Sequence, residues 1–283
     1  MKKYAVISMD VEDWYHTYFP EQSVDRSVSM LDGLDVALDI LNAKDIKASF
    51  FVVGETIEKL SQKLRQMDKD GHEIACHGLN HKRALSTEKE EYRSQLIESK
   101  AMLERILGHP VYGYRAPSFA IDDEYLQIVR DCGFSYDSSK LQPQKSAKYG
   151  ALELRSFKEI ESCIYQDDGF FEFEVSTQKI GNLNMLLGGG YIRMLPWVLM
   201  KQMHIRYLSS GKIYVMYIHP IDLSNRSIPK VPDMSLDHLL RTHVGRRHMR
   251  SKFQKTIALL EQYGYEFTTF SEIYLNMLKR GET

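Results

Sequence analysis

Apolar and polar stretches alternate along the chain in a strand-then-helix rhythm. Tyr4–Met9 is a continuous apolar run of the kind a buried strand carries, and after a polar loop Leu31, Leu34, Leu38 and Leu41 recur at helical spacing. Ala48–Val53 predicts a second strand, Gly54 opens a helix reaching about Lys69, and Gly71 precedes a third strand that delivers His77. The clearest helix opens at Ser86-Thr87, where Thr87 and Glu90 stand at capping-box spacing. Tyr92, Leu96, Leu103 and Leu107 make its inward face, and Gly108 stops it. A strand at Val111–Tyr114, a helix at Asp122–Asp131 and a strand at Phe134–Tyr136 continue the alternation.

The rhythm then loosens. The stretch at about 141–190 reads as an irregular insertion, with Gly188-Gly189-Gly190 as a flexible turn. Regularity returns with a helix opening at Pro196, a strand Ile213–Ile218, a helix Ser251–Tyr263 and a last strand Phe267–Phe270. There is no internal repeat and no low-complexity linker. The 283 residues therefore read as one α/β domain spanning 1–283, most simply a barrel or distorted barrel, with a doubly wound sheet as the rival.

Polar residues cluster where the predicted strands end. His77 and His81 are four residues apart, a spacing at which a helical turn would aim both imidazoles at one metal ion. Asp10-Val11-Glu12-Asp13 ends the first apolar run. In an extended backbone Asp10 and Glu12 share a face and Asp13 opposes them. One carboxylate would complete a two-histidine metal site with open positions, and the other would serve as a general base. Arg115, Asp137 and His219 fall at the ends of later strands, which in a barrel is the catalytic face. Gly78 occupies the place of the glutamate in an HExxH zinc peptidase and disfavours that chemistry.

Bulk composition narrows the field. The formal net charge of −1 gives no reason to expect nucleic acid, and no apolar run reaches membrane-span length. Three cysteines, Cys76, Cys132 and Cys163, are too few and too scattered for a disulfide framework or a thiolate zinc site. The chain runs from Met-Lys-Lys straight into the first strand with no signal-peptide pattern, so cytoplasmic residence is the plain expectation.

Five segments occur in a telling order: Asp10-Val11-Glu12-Asp13; Gly71-His72-Glu73-Ile74 leading to His77 and His81; Gly113-Tyr114-Arg115-Ala116-Pro117-Ser118-Phe119; Tyr136-Asp137-Ser138-Ser139; and Tyr217-Ile218-His219-Pro220. Together they resemble the successive motifs of the polysaccharide deacetylase, or NodB-homology, family. Gly188-Gly189-Gly190-Tyr191 through Arg193 and Pro196 resembles a bacterial branch from exopolysaccharide and surface-glycan gene clusters. The resemblance spans roughly Tyr4 to Phe270.

It implies a distorted, seven-stranded (β/α) barrel and a metal-dependent hydrolase that removes acetyl groups from N-acetylated sugars. Residue by residue, it implies His77 and His81 as metal ligands, Asp10 as base, Arg115 as the group orienting that base, and His219 as acid. Asp137 matches a less consistent position. The family's commonest first motif has adjacent aspartates, whereas Val11 follows Asp10; Glu12 is the inferred carboxylate ligand, with Asp13 the alternative. Gly78 stands where the family usually has Ser or Thr, which would loosen that loop. Phe119 stands where many members have Gly, which would reshape the sugar-binding floor.

Zinc suits two imidazoles and a carboxylate, as do iron, cobalt, nickel and manganese. Trp14, Tyr15 and Tyr191 are candidate sugar-stacking aromatics, and Trp197 reads as core. The basic run Arg241–Lys252, with Arg246 and Arg247 at its centre, would contact a phosphate on a nucleotide- or lipid-linked sugar, or else be a solvated face. The expected partner is thus an N-acetylated oligosaccharide or carrier-linked sugar, with possible contact at a membrane surface. Two other functions compete: hydrolysis of a small cyclic amide or ureide on the same barrel, and a catalytically silent glycan- or metal-binding protein.

Overall fold

The computed structural model describes residues 2–18, 24–142, 151–231, 234 and 236–281. Its strands are β1 (Tyr4–Val11), β2 (Ser49–Val52), β3 (Glu73–Cys76), β4 (Gly113–Tyr114), β5 (Tyr136–Asp137), β6 (Lys158–Glu161), β7 (Ile164–Asp167), β8 (Phe170–Phe173), β9 (Thr177–Ile180), β10 (Leu183–Leu186), β11 (Tyr214–Ile218) and β12 (Glu266–Thr268). Its helices are α1 (Trp14–Tyr18), α2 (Asp32–Asn42), α3 (Gly54–Lys69), α4 (Lys89–Leu107), α5 (Asp123–Asp131), α6 (Gly189–Met194), α7 (Trp197–Leu208), α8 (Pro220–Leu223), α9 (Leu236–His243), α10 (Arg246–Gln262) and α11 (Phe270–Lys279).

Parallel pairing runs in the order β11-β1-β2-β3-β4-β5-β8, seven strands, with β12 also parallel to β1. The antiparallel strands β7 and β6 extend the sheet beyond β8. Between β8 and β11 the ring is drawn together at Ser176, whose N–H donates to Val215 O at 3.1 Å and whose Oγ accepts from Val215 N at 2.8 Å. The expected distorted barrel is the fold observed.

Side-chain alternation along the strands sorts residues between two cores. Ala5, Ile7, Met9 and Val11 of β1 face outward with Phe50, Ile74, Cys76, Met216 and Ile218, packing under the helices. Val6 faces inward with Phe51, Ala75, Tyr136, Phe171, Phe173 and Val215, and Phe270 of α11 joins this inner cluster. On that same inward parity, further along the strands, lie Ser8, Asp10, His77, Arg115 and His219. The chemistry therefore sits on top of an aromatic plug, at the carboxyl ends of the strands.

The 141–190 stretch is not an irregular insertion. Residues 143–150 lie outside the described set, but the remainder holds β6 to β10, and β8 is a fully buried barrel strand. Glu172 and Glu174 interrupt its apolar run, and each strand is only four residues long, so no alternation stands out. Gly188 and Gly189 are not a flexible turn either: Gly188 caps α6 and Gly189 begins it. A Cβ on either would come within 2.6 Å of the Tyr217 ring, so glycine is required by close packing. The cap of α4 is Glu88, which accepts from the N–H groups of Glu90 and Glu91, while Thr87 donates back to Arg83 O. Helix α10 begins at Arg246, five residues before the pattern predicts.

Candidate active site

Glu12 follows β1 and His77 follows β3, and both are buried, as is His81. His77 Nε2 lies 3.8 Å from Glu12 Oε2, and His81 Nε2 is in direct contact with the same carboxylate. One ligand atom from each of the three residues falls within 4.8 Å of the others. His77 Nδ1 is 2.8 Å from Arg115 O, a bond that makes Nδ1 the N–H tautomer and turns Nε2 toward Glu12. Burial pushes the His77 imidazole down to about 4, so it is neutral and able to ligate near neutrality. Burial alone would raise the Glu12 carboxyl, but contact with His81 and the charges of His219 and His77 bring it well below the usual range. Two imidazoles and an ionised carboxylate, buried and convergent, are a donor set that fits a divalent transition metal.

The histidines are not joined by a helical turn, as their spacing suggests. Residues 77–81 form a loop in which Gly78 has φ +75° and His81 has φ +61°. Nor does Gly78 leave that loop loose. The first amides of α3 hold it, Gly54 N donating to Gly78 O and Glu55 N to Leu79 O, both at 2.9 Å. Glycine at 78 supplies the left-handed φ at no steric cost.

Asp10 stands beside this cluster. Its Oδ1 accepts from Arg115 Nη1 at 2.7 Å, and its Oδ2 is 3.9 Å from His219 Nε2. Arg115 is fully enclosed: Nη1 also donates to Ser8 Oγ, Nε to Ser138 O and Nη2 to Ser138 Oγ, while the guanidinium lies 4.1 Å from the Phe51 ring centre. Every donor direction toward the carboxylate is thus fixed by packing. The following backbone bends sharply, with φ +57° at Ser118 and +56° at Phe119. Such strain persists only where the surroundings over-determine it; here the Phe119 ring packs on Tyr217 at 4.8 Å and lies 5.4 Å from the Arg115 guanidinium.

His219 closes the other side. Its Nε2 lies 3.6 Å from Glu12 Oε1, and its Nδ1 is 3.2 Å from Asp222 Oδ2. Asp222 is buried and pairs through Oδ1 with Arg193 Nε at 2.7 Å. Burial lowers the His219 imidazole, but the Asp222 hydrogen bond and the charges of Asp222, Glu12 and Asp10 outweigh it and push the group up to about 9. Burial likewise raises Asp222, and its contacts with His219 and Arg193 bring it below its ordinary value.

The structure brings together Asp10, Glu12, His77, His81, Arg115 and His219, and sets apart most of the expected substrate contacts. Trp14 is fully buried with Nε1 donating to Val28 O, so it is a core residue rather than a sugar platform. Asp137 is enclosed, both oxygens accepting from Ser139, and offers nothing to a ligand. Arg246 is turned inward onto the carbonyls of Ile221, Ser224 and Arg226 and is spent on holding loops. Tyr15 is half-buried with Arg26 4.7 Å from its ring centre, Tyr191 is half-buried against the inner core, and Arg247 is exposed on the first turn of α10. Asp13 braces the loop, its Oδ1 accepting from Trp14 N and Met30 N, which leaves Glu12 as the carboxylate facing the histidines. Sequence reasoning does not single out Ser8 or Asp222, and it quotes Ser138 and Arg193 only as members of motifs, with no role. Parity with Asp10 would have flagged Ser8; nothing local ties Arg193 to the site.

Comparison with known proteins bears on this arrangement directly. A family model described as polysaccharide deacetylase matches residues 30–136, which include His77, His81 and Arg115. Residues 30–136 carry a polysaccharide deacetylase domain. A second model, a domain of unknown function, matches residues 139–275, so His219, Asp222 and Arg193 lie in a different recognised segment from the histidine pair. A Bacillus cereus peptidoglycan-N-acetylglucosamine deacetylase is 28% identical over 120 residues, 41% of this chain and 44% of its own length. A Helicobacter pylori peptidoglycan deacetylase is 25% identical over 140 residues, 48% of each. The chain thus spans less than half the length of these curated relatives. Among solved structures, a Mycobacterium smegmatis protein named as a polysaccharide deacetylase candidate superposes with a TM-score of 0.65 at 18% identity, over 99% of this chain and 92% of its own. At that identity the likeness speaks for the fold.

Proposed function

We propose that this protein is a metal-dependent N-deacetylase of an N-acetylated sugar in surface-glycan biosynthesis, acting on an oligosaccharide or carrier-linked form. One observation carries the reading: a carboxylate–His–His cluster, an arginine-held aspartate and a carboxylate-held histidine face one another at the strand ends. The likeness to peptidoglycan deacetylases supports the sugar amide as substrate class.

Glu12, His77 and His81 would hold the ion, for which zinc is the first choice. When bound, a divalent metal polarises an amide carbonyl and acidifies water. The residues around it divide the proton transfers. Asp10, oriented by Arg115, takes a proton from the attacking water. His219, held through Nδ1 by Asp222, presents Nε2 on the far side of Asp10 and delivers a proton to the departing amine. Each such role is typically worth about two to four orders of magnitude in rate.

Acetate release from N-acetylated oligosaccharides, before and after chelation and with zinc or cobalt restored, tests the proposal. Release that vanishes on chelation and returns with metal is the expected result. Chelation-insensitive release, or none from a metal-loaded protein on any N-acetylated glycan offered, would sink it.

A further inference from the structure

Away from the site, one surface combines two properties. Leu236, Leu239 and Leu240 of α9, with Val244 just after it, recur along one helical stripe and are 70%, 44%, 48% and 38% exposed. Single exposed leucines are ordinary, but a row of them in register on so short a helix is an uncovered apolar patch. It continues onto α6 and α7: Val244, Met194 and Trp197 line one groove of about 460 Å³, and Val198 beside Trp197 is 70% exposed.

The same segment is densely cationic. Residues 236–255 carry six arginines and lysines against a single acid, Asp237, in a chain whose formal net charge is −1. Arg246 and Lys252 are turned inward onto backbone carbonyls. Arg241, Arg247, Arg250 and Lys255 are exposed, and Lys255 lies 5.9 Å from the Trp197 ring centre at the groove.

We infer that α9 and the first turns of α10 dock on an anionic lipid bilayer, leucines entering the headgroup boundary and arginines pairing with lipid phosphates. Charge selects this occupant. Leucines flanked by cations suit a surface that is apolar beneath and uniformly anionic above, whereas a second copy of the same face would oppose like charges. Among the described residues no helix is long and apolar enough to cross a membrane; the docking inferred is a peripheral one.

Arg193 joins the surface to the site. Arg193 donates to the carbonyls of Arg241, Thr242 and Val244 at the end of α9, and its Nε meets Asp222, the partner of His219. A bilayer under α9 would therefore lie on the acid's side of the barrel, where a membrane-anchored glycan would arrive.

Co-flotation of the full chain with vesicles of phosphatidylcholine alone, or mixed with phosphatidylglycerol, is the test. Binding is expected only to the anionic vesicles and should weaken as salt rises. Leu236→Ser with Leu240→Ser, and separately Arg247→Glu with Arg250→Glu, should each lower partitioning at least about tenfold. Melting temperature and far-UV circular dichroism should match the parent in both. No binding by the parent at low salt, or equal binding by parent and variants, overturns the inference. So does a concentration-dependent dimer that the leucine variant dissolves without any vesicle binding. The readout involves no deacetylation, so it stands or falls separately from the proposed activity.

Discussion

The two sides of the site are built differently. On the proposed metal side, Glu12 follows β1 and the two histidines follow β3, the next strand but one in the parallel ladder, and the partners fixing them are backbone groups: Arg115 O for His77 and the α3 amides for the loop between the histidines. On the acid side, His219 is fixed by a chain of buried charges, Asp222 and then Arg193, reaching to α9. Backbone partners survive most substitutions around them. A buried charge relay fails when any member is removed, because the remaining charges are left uncompensated in the interior. The metal side should therefore be sensitive only at its ligands, and the acid side sensitive along its whole relay.

The largest effect that separates the two sides is loss of a ligand against loss of the acid. His81→Ala should abolish stoichiometric zinc binding and acetate release together. His219→Ala should keep zinc nearly intact while turnover falls by about two to four orders of magnitude. Metal content by elemental analysis, read beside acetate release, distinguishes them. Normal turnover in His219→Ala would remove that residue from the mechanism.

Next in size is Asp222→Asn, which keeps the shape and removes the charge that holds His219 protonated. A tenfold to hundredfold fall in turnover is expected, the scale typical of losing the partner that orients a site histidine. The sign of the pH effect follows from the raised histidine: an acid must be protonated, so activity is present below its pKa and declines above it. Removing Asp222 lowers that pKa, and the alkaline limb of the kcat profile should move to lower pH. A fall in kcat with an unmoved limb would make Asp222 merely structural.

The same contrast explains what was legible in the sequence. Asp10, Glu12, His77, Arg115 and His219 could be found because strand alternation is local: each stands at a fixed offset from an apolar run and shares its inward parity. Asp222 lies three residues from His219 yet gives no signal, since a buried aspartate and an exposed one look alike. Arg193 is 26 positions from His219, and only the tertiary fold pairs it with Asp222. Trp14 was misjudged because adjacency to the acidic cluster says nothing about direction; the short α1 turns it under the loop against Met30 and Ile221. The 151–186 stretch hid its strands because β8 is buried on both faces yet carries Glu172 on its outward face, between the inward Phe171 and Phe173, which breaks the apolar run.

That glutamate gives the smallest expected effect, on stability rather than on rate. Asp137 of β5 and Glu172 of β8 are direct cross-strand partners, both fully buried, and Ser139 N donates to each. Asp137 belongs to the strand that ends the deacetylase match, and Glu172 to the second matched segment, so the pair seams the two regions. It also braces the base side, because Ser139 Oγ donates to Asp137 and accepts from Ala116 N, next to Arg115. Two carboxylates so placed cannot both ionise. Burial pushes Asp137 up to about 6, and burial with the Asp137 charge raises Glu172 well above its ordinary value. The folded state thus holds protons that the unfolded chain gives up near pH 4. The pair therefore makes stability fall as pH rises from about 4 through 6 and beyond. Glu172→Gln leaves an amide donor where a protonated carboxyl stood and removes one of the two acids. Urea midpoints measured from pH 4 to 8 should decline less steeply in Glu172→Gln than in the parent. Parallel curves would mean that the seam is held by packing and backbone ladder alone, and that the carboxyl pair contributes nothing to joining the two halves.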